Sequence, residues 1–165
     1  MNSTMSSPAI SLTNQPSWAT RLLATAPGAS GPILRFVLAL VMFPHGAQKL
    51  LGWFGGYGWS GSMGFLTGKI GLPAPLAALV ILIEALGPLF LLFGLLTRPV
   101  ALGMIAIMIG AIATVHEPNG FFMNWTGAQA GEGFEFHLLV IAMSLALLVS
   151  GGGSLSVDER LARRG

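Results

Sequence analysis

The sequence contains no cysteine among its 165 residues. Without a thiol, the chain cannot form a disulfide, bind an iron–sulfur cluster through thiolates, attach haem through a C-x-x-C-H motif or use a cysteine nucleophile. Any redox chemistry would therefore take place on a bound cofactor or on a partner protein.

Charge is also scarce, since charged residues make up 8% of the chain and hydrophobic residues 53%, with a mean hydropathy of +0.76. A soluble domain carries about 25% charged residues. The composition therefore predicts one compact domain whose surface faces mainly lipid. The net charge of +2 comes from 8 basic and 6 acidic residues, an excess too small to indicate a nucleic-acid partner.

The two ends of the chain are less apolar than its middle. Residues 1–30 are rich in Ser, Thr, Pro and Ala, and they lack the basic segment followed by an apolar segment that a cleaved signal peptide needs. We predict a flexible tail, in which Trp18 to Ala26 could form a short interfacial turn or two, ended by Pro27-Gly28. Residues 159–165 are predicted to form a basic C-terminal tail.

Four apolar segments lie between these tails. A membrane-spanning helix needs about 20 apolar residues, with a range of roughly 17–25. No strand-like alternation appears, and an open sheet cannot be satisfied in lipid. The sequence therefore predicts an all-α integral membrane protein, a four-transmembrane-helix bundle within residues 31–158. The predicted helices are about 33–54, 74–96, 99–115 and 134–150.

The distribution of basic residues predicts that both termini are cytoplasmic. An even number of spans puts the termini on one side, and the positive-inside rule assigns the side with more Lys and Arg to the cytoplasm. That side carries Arg21, Arg35, Arg98, Arg160, Arg163 and Arg164. The opposite side carries Lys49, Lys69, Glu117, Glu132 and Glu135.

Small residues recur at helical spacing on two of the predicted helices. Such faces let helix backbones approach closely in a membrane. The third helix carries Gly103, Ala106, Gly110 and Ala113, and the second carries Glu84, Gly87, Leu91 and Gly94. We therefore predict close helix packing on both faces, with Glu84 pointing inward.

Glu84 lies in the middle of the second apolar segment. A charge at that depth costs at least ~2.5–3.5 kcal/mol unless it is paired, protonated or facing a polar cavity. Arg35 is the other intramembrane charge. It could extend to the headgroups or reach toward Glu84, since a buried carboxylate is stabilised by a cation.

All three histidines are predicted on the outer half of the bundle. His45 and Lys49 share a face at i, i+4, His116 ends the third helix, and Glu135 and His137 begin the fourth. Each histidine alone could be an ordinary interfacial residue, whereas together they indicate a shared polar pocket. The candidate catalytic residues are Glu84, His45 and Lys49, and the candidate cofactor-binding residues are Arg35, His45, His116, Glu135 and His137.

Several other motifs do not support a site. Gly56 to Gly61 reads G-x-G-x-x-G, but no strand precedes it. We predict an aromatic interfacial segment there instead, around Trp53, Phe54, Tyr57 and Trp59. Gly120 takes the place of the second histidine of an H-E-x-x-H motif. The three histidines could hold a metal or a haem, but their spacing does not argue for either, so no metal ligand is assigned.

The order of these features resembles the DoxX family of small four-helix bacterial membrane proteins. The resemblance covers about residues 33–160. It rests on the first helix from Arg35 through Pro44-His45-Gly46 to Lys49-Leu50, on Glu84, on Gly94-Leu95-Leu96-Thr97-Arg98-Pro99 and on a glycine cluster before Ser156-Val157-Asp158. The usual Gly…Ser-Leu-Asp ending is split here, because Ser154-Leu155 precedes Ser156-Val157-Asp158.

The resemblance implies a multi-pass protein of the bacterial cytoplasmic (inner) membrane with an oxidoreductase role. Some members of the family resemble subunits of thiosulfate:quinone oxidoreductase or of membrane-associated oxidoreductase assemblies. The positions that it carries over are Arg35, His45, Gly46, Lys49, Glu84, Gly94, Arg98 and Asp158.

Two hypotheses of function follow. In the first, the protein is a quinone-linked subunit, in which His45 and Lys49 bind the quinone head group and Glu84 carries protons. In the second, it is a non-enzymatic membrane anchor, assembly subunit or permeation scaffold, in which Arg35 and Glu84 fix the helix register. The expected partners are membrane lipid, other membrane or oxidoreductase subunits and a second copy of the chain.

Overall fold

A computed structural model describes residues 18–164, and all the regular secondary structure in that range is helical. The seven α-helices are α1 (Trp18–Leu23), α2 (Ser30–Leu51), α3 (Gly58–Gly64), α4 (Ala74–Phe93), α5 (Thr97–Ala111), α6 (Glu135–Ser150) and α7 (Val157–Ala162). Two π-helical turns, Phe65–Lys69 and Ile112–His116, follow α3 and α5. Short 3-10 turns form at Trp53–Gly55 and Glu117–Asn119.

Three helices in the described range are long and apolar enough to cross a membrane. They are α2, α4 and the continuous helical segment Thr97–Asn119 that begins with α5. The fourth predicted segment forms α6, which is apolar but has only 16 residues. At 1.5 Å per residue it extends about 24 Å, less than the ~30 Å hydrocarbon core. The protein is therefore a multi-pass membrane protein, with three helices of full spanning length among residues 18–164.

The four long helices form a ring around one apolar core. Helix α2 packs along α4 and α5 packs along α6, while α2 also contacts α6 and α4 contacts α5. Fully buried side chains such as Leu38, Met104 and Leu147 fill the centre. One end of the ring carries residues 94–97 and 151–157 and is called the termini end below. The other end carries residues 52–73 and 117–134 and is called the loop end.

Over residues 18–29 the structure contains the short helix α1, within the segment predicted to form an interfacial turn or two, and it holds this part of the chain against the bundle. Helix α1 packs against α7 and α5, the amide of Ala26 donates to Ser150 O at 2.7 Å, and the amide of Gly153 donates to Thr25 Oγ1. The segment is held because the last carbonyls of α6 need donors that the helix itself cannot supply. Residues 1–17 of the predicted tail lie outside the described residues.

Two other segments, one near the C-terminus and one after α2, contain helices that were not predicted. The basic C-terminal segment continues α7 as far as Ala162, and Arg163 makes an ion pair with Glu159 at 2.7 Å. The aromatic segment after α2 contains α3 and a π-helical turn, although Trp53, Tyr57 and Trp59 are exposed as expected. Helix α3 escaped prediction because glycine is a poor helix former.

The two small-residue faces behave differently. On α4, Glu84, Gly87 and Leu91 are buried, and a Cβ on Gly87 would lie 2.9 Å from the Met104 side chain of α5. That face confirms the predicted close packing. On α5, however, Ala106 and Gly110 are exposed, and a Cβ on Gly110 would meet no atom within 4 Å. Close packing was therefore the wrong prediction for the outer part of α5.

Candidate functional site

A cavity of about 820 Å³ lies between α4 and α5 at the loop end. The two helices contact each other near Gly87, and the small residues Gly103, Ala106 and Gly110 leave the space between them open farther along. Met42 of α2 and Phe136 of α6 belong to its inner wall. The polar residues that line the cavity are His45, Lys49, Glu84, Thr114, His116, Glu132 and His137.

Glu84 makes an ion pair with Lys49 inside this cavity. The Lys49 Nζ donates to Glu84 Oε1 at 3.1 Å and lies 3.0 Å from Oε2. The Glu84 side chain is 4% exposed, whereas that of Lys49 is 33% exposed. Although Oε2 is within ion-pair distance, it accepts no hydrogen bond of good geometry among the described residues. The carboxylate therefore has a cation partner and one oxygen with unused hydrogen-bonding capacity.

Gly46 brings the two members of this pair together. A Cβ at Gly46 would lie 2.1 Å from the Glu84 carbonyl oxygen, so only glycine allows α2 to approach α4 so closely. Lys49 follows one turn later on the same helix. The spacing of α2 from α4, and with it the distance between Lys49 and Glu84, thus depends on the missing side chain at residue 46.

Arg35 neither reaches the headgroups nor pairs with Glu84, which corrects both expectations. It is 4% exposed. Its guanidinium donates to Gly152 O at 2.7 Å, to Leu91 O at 3.0 Å and to Leu92 O at 3.2 Å. The carbonyls of Leu91 and Leu92 belong to the last turn of α4, where helical partners run out, and a guanidinium can supply several donors there. Arg35 is therefore distant from the candidate cofactor site and stabilises the termini end.

Arg98 and Asp158 do the same for two other helix ends. Arg98 donates to Leu148 O at 2.8 Å and to Val149 O at 2.9 Å in the last turn of α6. Asp158 accepts from the amides of Leu96 and Thr97, at 2.8 and 2.9 Å, where α5 begins. We refer to Arg35, Arg98 and Asp158 as the termini-end cluster. The split C-terminal motif thus still delivers its carboxylate to a helix N-terminus.

The three histidines line the cavity together with a phenylalanine. Ring centroids are 5.4 Å apart for His45 and Phe136, 5.7 Å for Phe136 and His137, and 4.0 Å for His137 and His116. His137 is buried, and its Nδ1 has no hydrogen-bond partner among the described residues. The structure therefore brings all three histidines into one wall. No sequence motif indicated a role for Phe136.

The π-helical turn Ile112–His116 ends at the histidine that contacts His137. Such turns insert one residue into a helix and are frequent at functional sites. His116 Nδ1 lies 2.8 Å from Glu132 O, so the loop that closes the cavity is tied to the histidine wall. The second π-helical turn, Phe65–Lys69, borders the same cavity through Phe65 and Leu66.

Glu135 is the predicted cofactor-binding residue at the loop end that the structure places outside the cavity. Its Oε1 accepts from the amide of Met123 at 3.0 Å and from Trp125 Nε1 at 2.9 Å. These bonds fix the loop before α6. Glu132, which sequence reasoning did not select as a site residue, lines the cavity instead. Among residues 18–164, no three His, Asp or Glu side chains are arranged to hold a metal ion.

Comparisons with known proteins agree with this architecture. The DoxX family model matches residues 32–117, which include most of α2 and all of α4 and α5. The chain is 32% identical over 126 residues to "Putative oxidoreductase CatD" of Bacillus subtilis, covering 76% of this chain and 82% of that protein. It is 28% identical over 139 residues to an uncharacterized protein of Haemophilus influenzae, covering 79% and 82%.

A third relative is the inner membrane protein YphA of Escherichia coli, which is 25% identical over 142 residues, covering 81% of this chain and 94% of that protein. No solved structure gives a significant match. The family match covers both the termini-end Arg35 and the cavity pair of Lys49 and Glu84. The chain therefore belongs to the DoxX family of membrane proteins.

Proposed function

We propose that this protein is a quinone-linked subunit of a membrane oxidoreductase system, and that the cavity binds the quinone. The observation that carries the proposal is the pairing of polar and apolar walls in one cavity of about 820 Å³. That volume lies within the roughly 300–1,000 Å³ of small-molecule sites. A quinone has a flat head with two oxygens and a long apolar tail, and these two parts match the two kinds of wall.

The polar wall fits the quinone head. Lys49 Nζ can donate a hydrogen bond to a quinone oxygen, and His137 Nδ1 is buried without a partner among the described residues. A buried polar atom without a partner costs about 1–3 kcal/mol, so a ligand that bonds to it gains that amount. The rings of His45 and Phe136 are tilted by 37° to each other, and each offers an aromatic face on which a quinone ring can stack.

The apolar wall fits the tail. Leu76 and Leu79 of α4 and Leu102 of α5 line the cavity and are also exposed on the outside of the bundle. In a membrane protein, the exposed faces of apolar helices contact lipid. The cavity therefore opens sideways between α4 and α5, where a membrane-soluble molecule can enter.

Glu84 would exchange the protons of the quinone reaction. Oxidation of a quinol to a quinone releases two protons and two electrons. The Glu84 carboxylate in the cavity accepts the two protons one after the other, giving the first to water before it takes up the second, and the two electrons pass to a redox centre of a partner oxidoreductase subunit. The name of the Bacillus subtilis relative, "Putative oxidoreductase CatD", supports an oxidoreductase role.

For the topology, we propose four spans with α6 as the fourth and both termini in the cytoplasm. Arg21, Arg160, Arg163 and Arg164 lie on the termini side in addition to Arg35 and Arg98, which supports the positive-inside assignment. The name of the Escherichia coli relative supports the bacterial inner membrane as the location.

Because the chain lacks Cys, a single cysteine introduced at Thr126 or at Ala162 shows on which side of the membrane that residue lies. A membrane-impermeant thiol reagent added outside intact cells should label residue 126 and spare residue 162.

A membrane anchor or assembly subunit is the second candidate. It is favoured by the open face at Ala106 and Gly110, since an exposed small-residue face can seat a transmembrane helix of a partner or of a second copy. In that case a helix of the partner would cover the cavity, and the cavity would not bind a quinone.

Quinone binding to the purified protein in lipid nanodiscs separates the two candidates, with decylubiquinone as the probe. Ala106→Phe fills the cavity, whereas Ala113→Phe adds the same ring to an exposed site that does not line it. We expect Ala106→Phe to abolish binding and Ala113→Phe to leave it unchanged. Lys49→Met should weaken binding by about tenfold, the value of one charge-assisted hydrogen bond. Absence of binding in the unchanged protein would refute the quinone proposal.

A further inference from the structure

A second cavity, of about 260 Å³, lies at the loop end beside the first. Its wall includes Gln48, Ser62 and Tyr57, and Tyr57 is 83% exposed, so this cavity meets the surroundings at the membrane surface. Lys49, Phe65 and Leu66 line both cavities. Within the described range, Lys49 is the one charged side chain that belongs to both walls.

The contacts of Lys49 leave it free to move. Among residues 18–164, its ammonium donates one hydrogen bond, to Glu84 Oε1, although it carries three N–H groups. The side chain is one-third exposed, and lysine reaches its amine through a flexible four-carbon stem. Glu84, in contrast, is buried on the rigid helix α4. The attraction to the Glu84 charge is therefore what holds the ammonium at the larger cavity.

We propose that Lys49 is a gate between the two cavities, opened when Glu84 becomes protonated. The proposal rests on the proposed function, because the proton comes from a bound quinol whose two electrons go to the partner oxidoreductase subunit. Once Glu84 is neutral, the Lys49 ammonium has no charge partner. It is then better solvated in the smaller cavity, called the surface cavity below, than next to the neutral carboxyl group. Lys49 then turns outward and water reaches the carboxyl group.

The proton leaves Glu84 through water. The protonated carboxyl of Glu84 gives its proton to a water molecule and forms a carboxylate and a hydronium ion, which diffuses out through the surface cavity. The restored carboxylate attracts the Lys49 ammonium again and closes the gate. Lys49 acts here as a positioning residue, since it controls water access to Glu84.

The absence of native cysteine makes the movement measurable. Tyr57→Cys places one thiol in the wall of the surface cavity, and Thr126→Cys places a control thiol in the exposed loop 117–134. The measurement is the ratio of labelling rates for a negatively charged and a positively charged methanethiosulfonate reagent, with the full chain in nanodiscs. The ratio reports the local charge. Glu84→Gln imitates the protonated carboxyl group.

A double-substitution cycle separates movement from simple loss of the Glu84 charge. Glu84→Gln is compared in the chain with Lys49 and in the chain with Lys49→Met. We expect Glu84→Gln to raise the ratio at residue 57 by roughly threefold more when Lys49 is present, because the ammonium approaches the thiol. At residue 126 the two chains should give equal effects.

Equal effects of Glu84→Gln at residue 57 with and without Lys49 would overturn the gate, as would a larger effect in the Lys49→Met chain. Glu84→Ala provides a second uncharged side chain in case the glutamine variant does not fold. No quinone is present in this measurement. A failure of quinone binding alone therefore refutes the proposed function, and a failure of the cycle alone refutes the gate.

Discussion

The termini end and the loop end of the bundle use charged side chains in opposite ways. At the termini end, Arg35, Arg98 and Asp158 bond mainly to the backbone of helix ends and leave little capacity unused. At the loop end, Glu84 Oε2 and His137 Nδ1 are buried without hydrogen-bond partners among the described residues. The Thr97 hydroxyl at the termini end is also buried without a partner there, but it is uncharged and lines neither of the two cavities. Charge that completes a helix end stabilises the fold, whereas unused capacity beside a cavity is available to a ligand.

The last turn of α6 shows how the backbone of a helix end is satisfied at the termini end. Its four carbonyls, from Leu147 to Ser150, accept in turn from the amide of Gly151, from two groups of Arg98 and from the amide of Ala26. A membrane offers no water to replace these donors within its apolar region. The family positions at this end are therefore explained by helix termination without any catalytic role.

The largest effect that would test this comparison comes from Arg35→Ala. The substitution leaves the carbonyls of Leu92 and Gly152 without their guanidinium donor. We expect a loss of about 3 kcal/mol or more in the free energy of unfolding, since each bond to a charged donor is worth ~1.5–3 kcal/mol. Thermal unfolding in detergent measures it, with the exposed Arg160→Ala as the control. An Arg35→Ala protein as stable as the control would contradict a structural role.

Gly46→Ala should have the next largest effect. The added Cβ would meet the backbone of Glu84 at 2.1 Å, so α2 and α4 must separate. We expect a loss of about 2 kcal/mol from overpacking together with weaker quinone binding, because Lys49 moves away from Glu84. Gly110→Ala is the matched control, since its Cβ meets no atom within 4 Å. That control should be at least as stable as the unchanged protein, because alanine favours helix.

Asp158→Ala comes third. It removes the acceptor of the Leu96 and Thr97 amides at the start of α5. Loss of a helix N-terminal cap costs about 1–2 kcal/mol, and Asp158→Asn, which keeps one oxygen, should recover part of it. Chemical denaturation of both variants measures the difference. If both substitutions lowered quinone binding while leaving stability unchanged, the termini end would belong to the functional site and the comparison would fail.

The smallest effect on stability is expected at the loop end. Lys49→Met alone leaves the buried Glu84 without its cation and should cost about 1 kcal/mol, because the one-third exposed Lys49 leaves the ion pair partly screened by its surroundings. Lys49→Met with Glu84→Gln removes both charges and should be nearly neutral. The unfolding free energies of the two variants test this. A double substitution as damaging as Arg35→Ala would show that the pair stabilises the fold as the termini-end cluster does.

The eight positions carried over by family resemblance divide between the two ends. Arg35, Gly94, Arg98 and Asp158 lie at the termini end, and a Cβ on Gly94 would lie 2.6 Å from Arg35 Nη1. His45, Gly46, Lys49 and Glu84 lie at the cavity. A pattern of residues along the sequence could not separate the two groups, because both combine charged side chains with glycine.

The sequence by itself determined the membrane class, the approximate helices, the family and the presence of Glu84 at membrane depth. Length, hydropathy and helical spacing are local properties, so they can be read along the chain. The same local reading placed His45 and Lys49 on one helix face. It also gathered the histidines of three helices at one end of the bundle.

Only the tertiary structure decided what each charge contacts. Arg35 and Lys49 are both basic residues of α2, and which of them meets Glu84 depends on the approach of α2 to α4 at Gly46. The small-residue face of α5 likewise became a cavity wall because α4 and α5 touch only along part of their length. Side-chain partners depend on distances between helices, and a sequence pattern specifies the face of a helix but not the neighbour that it meets.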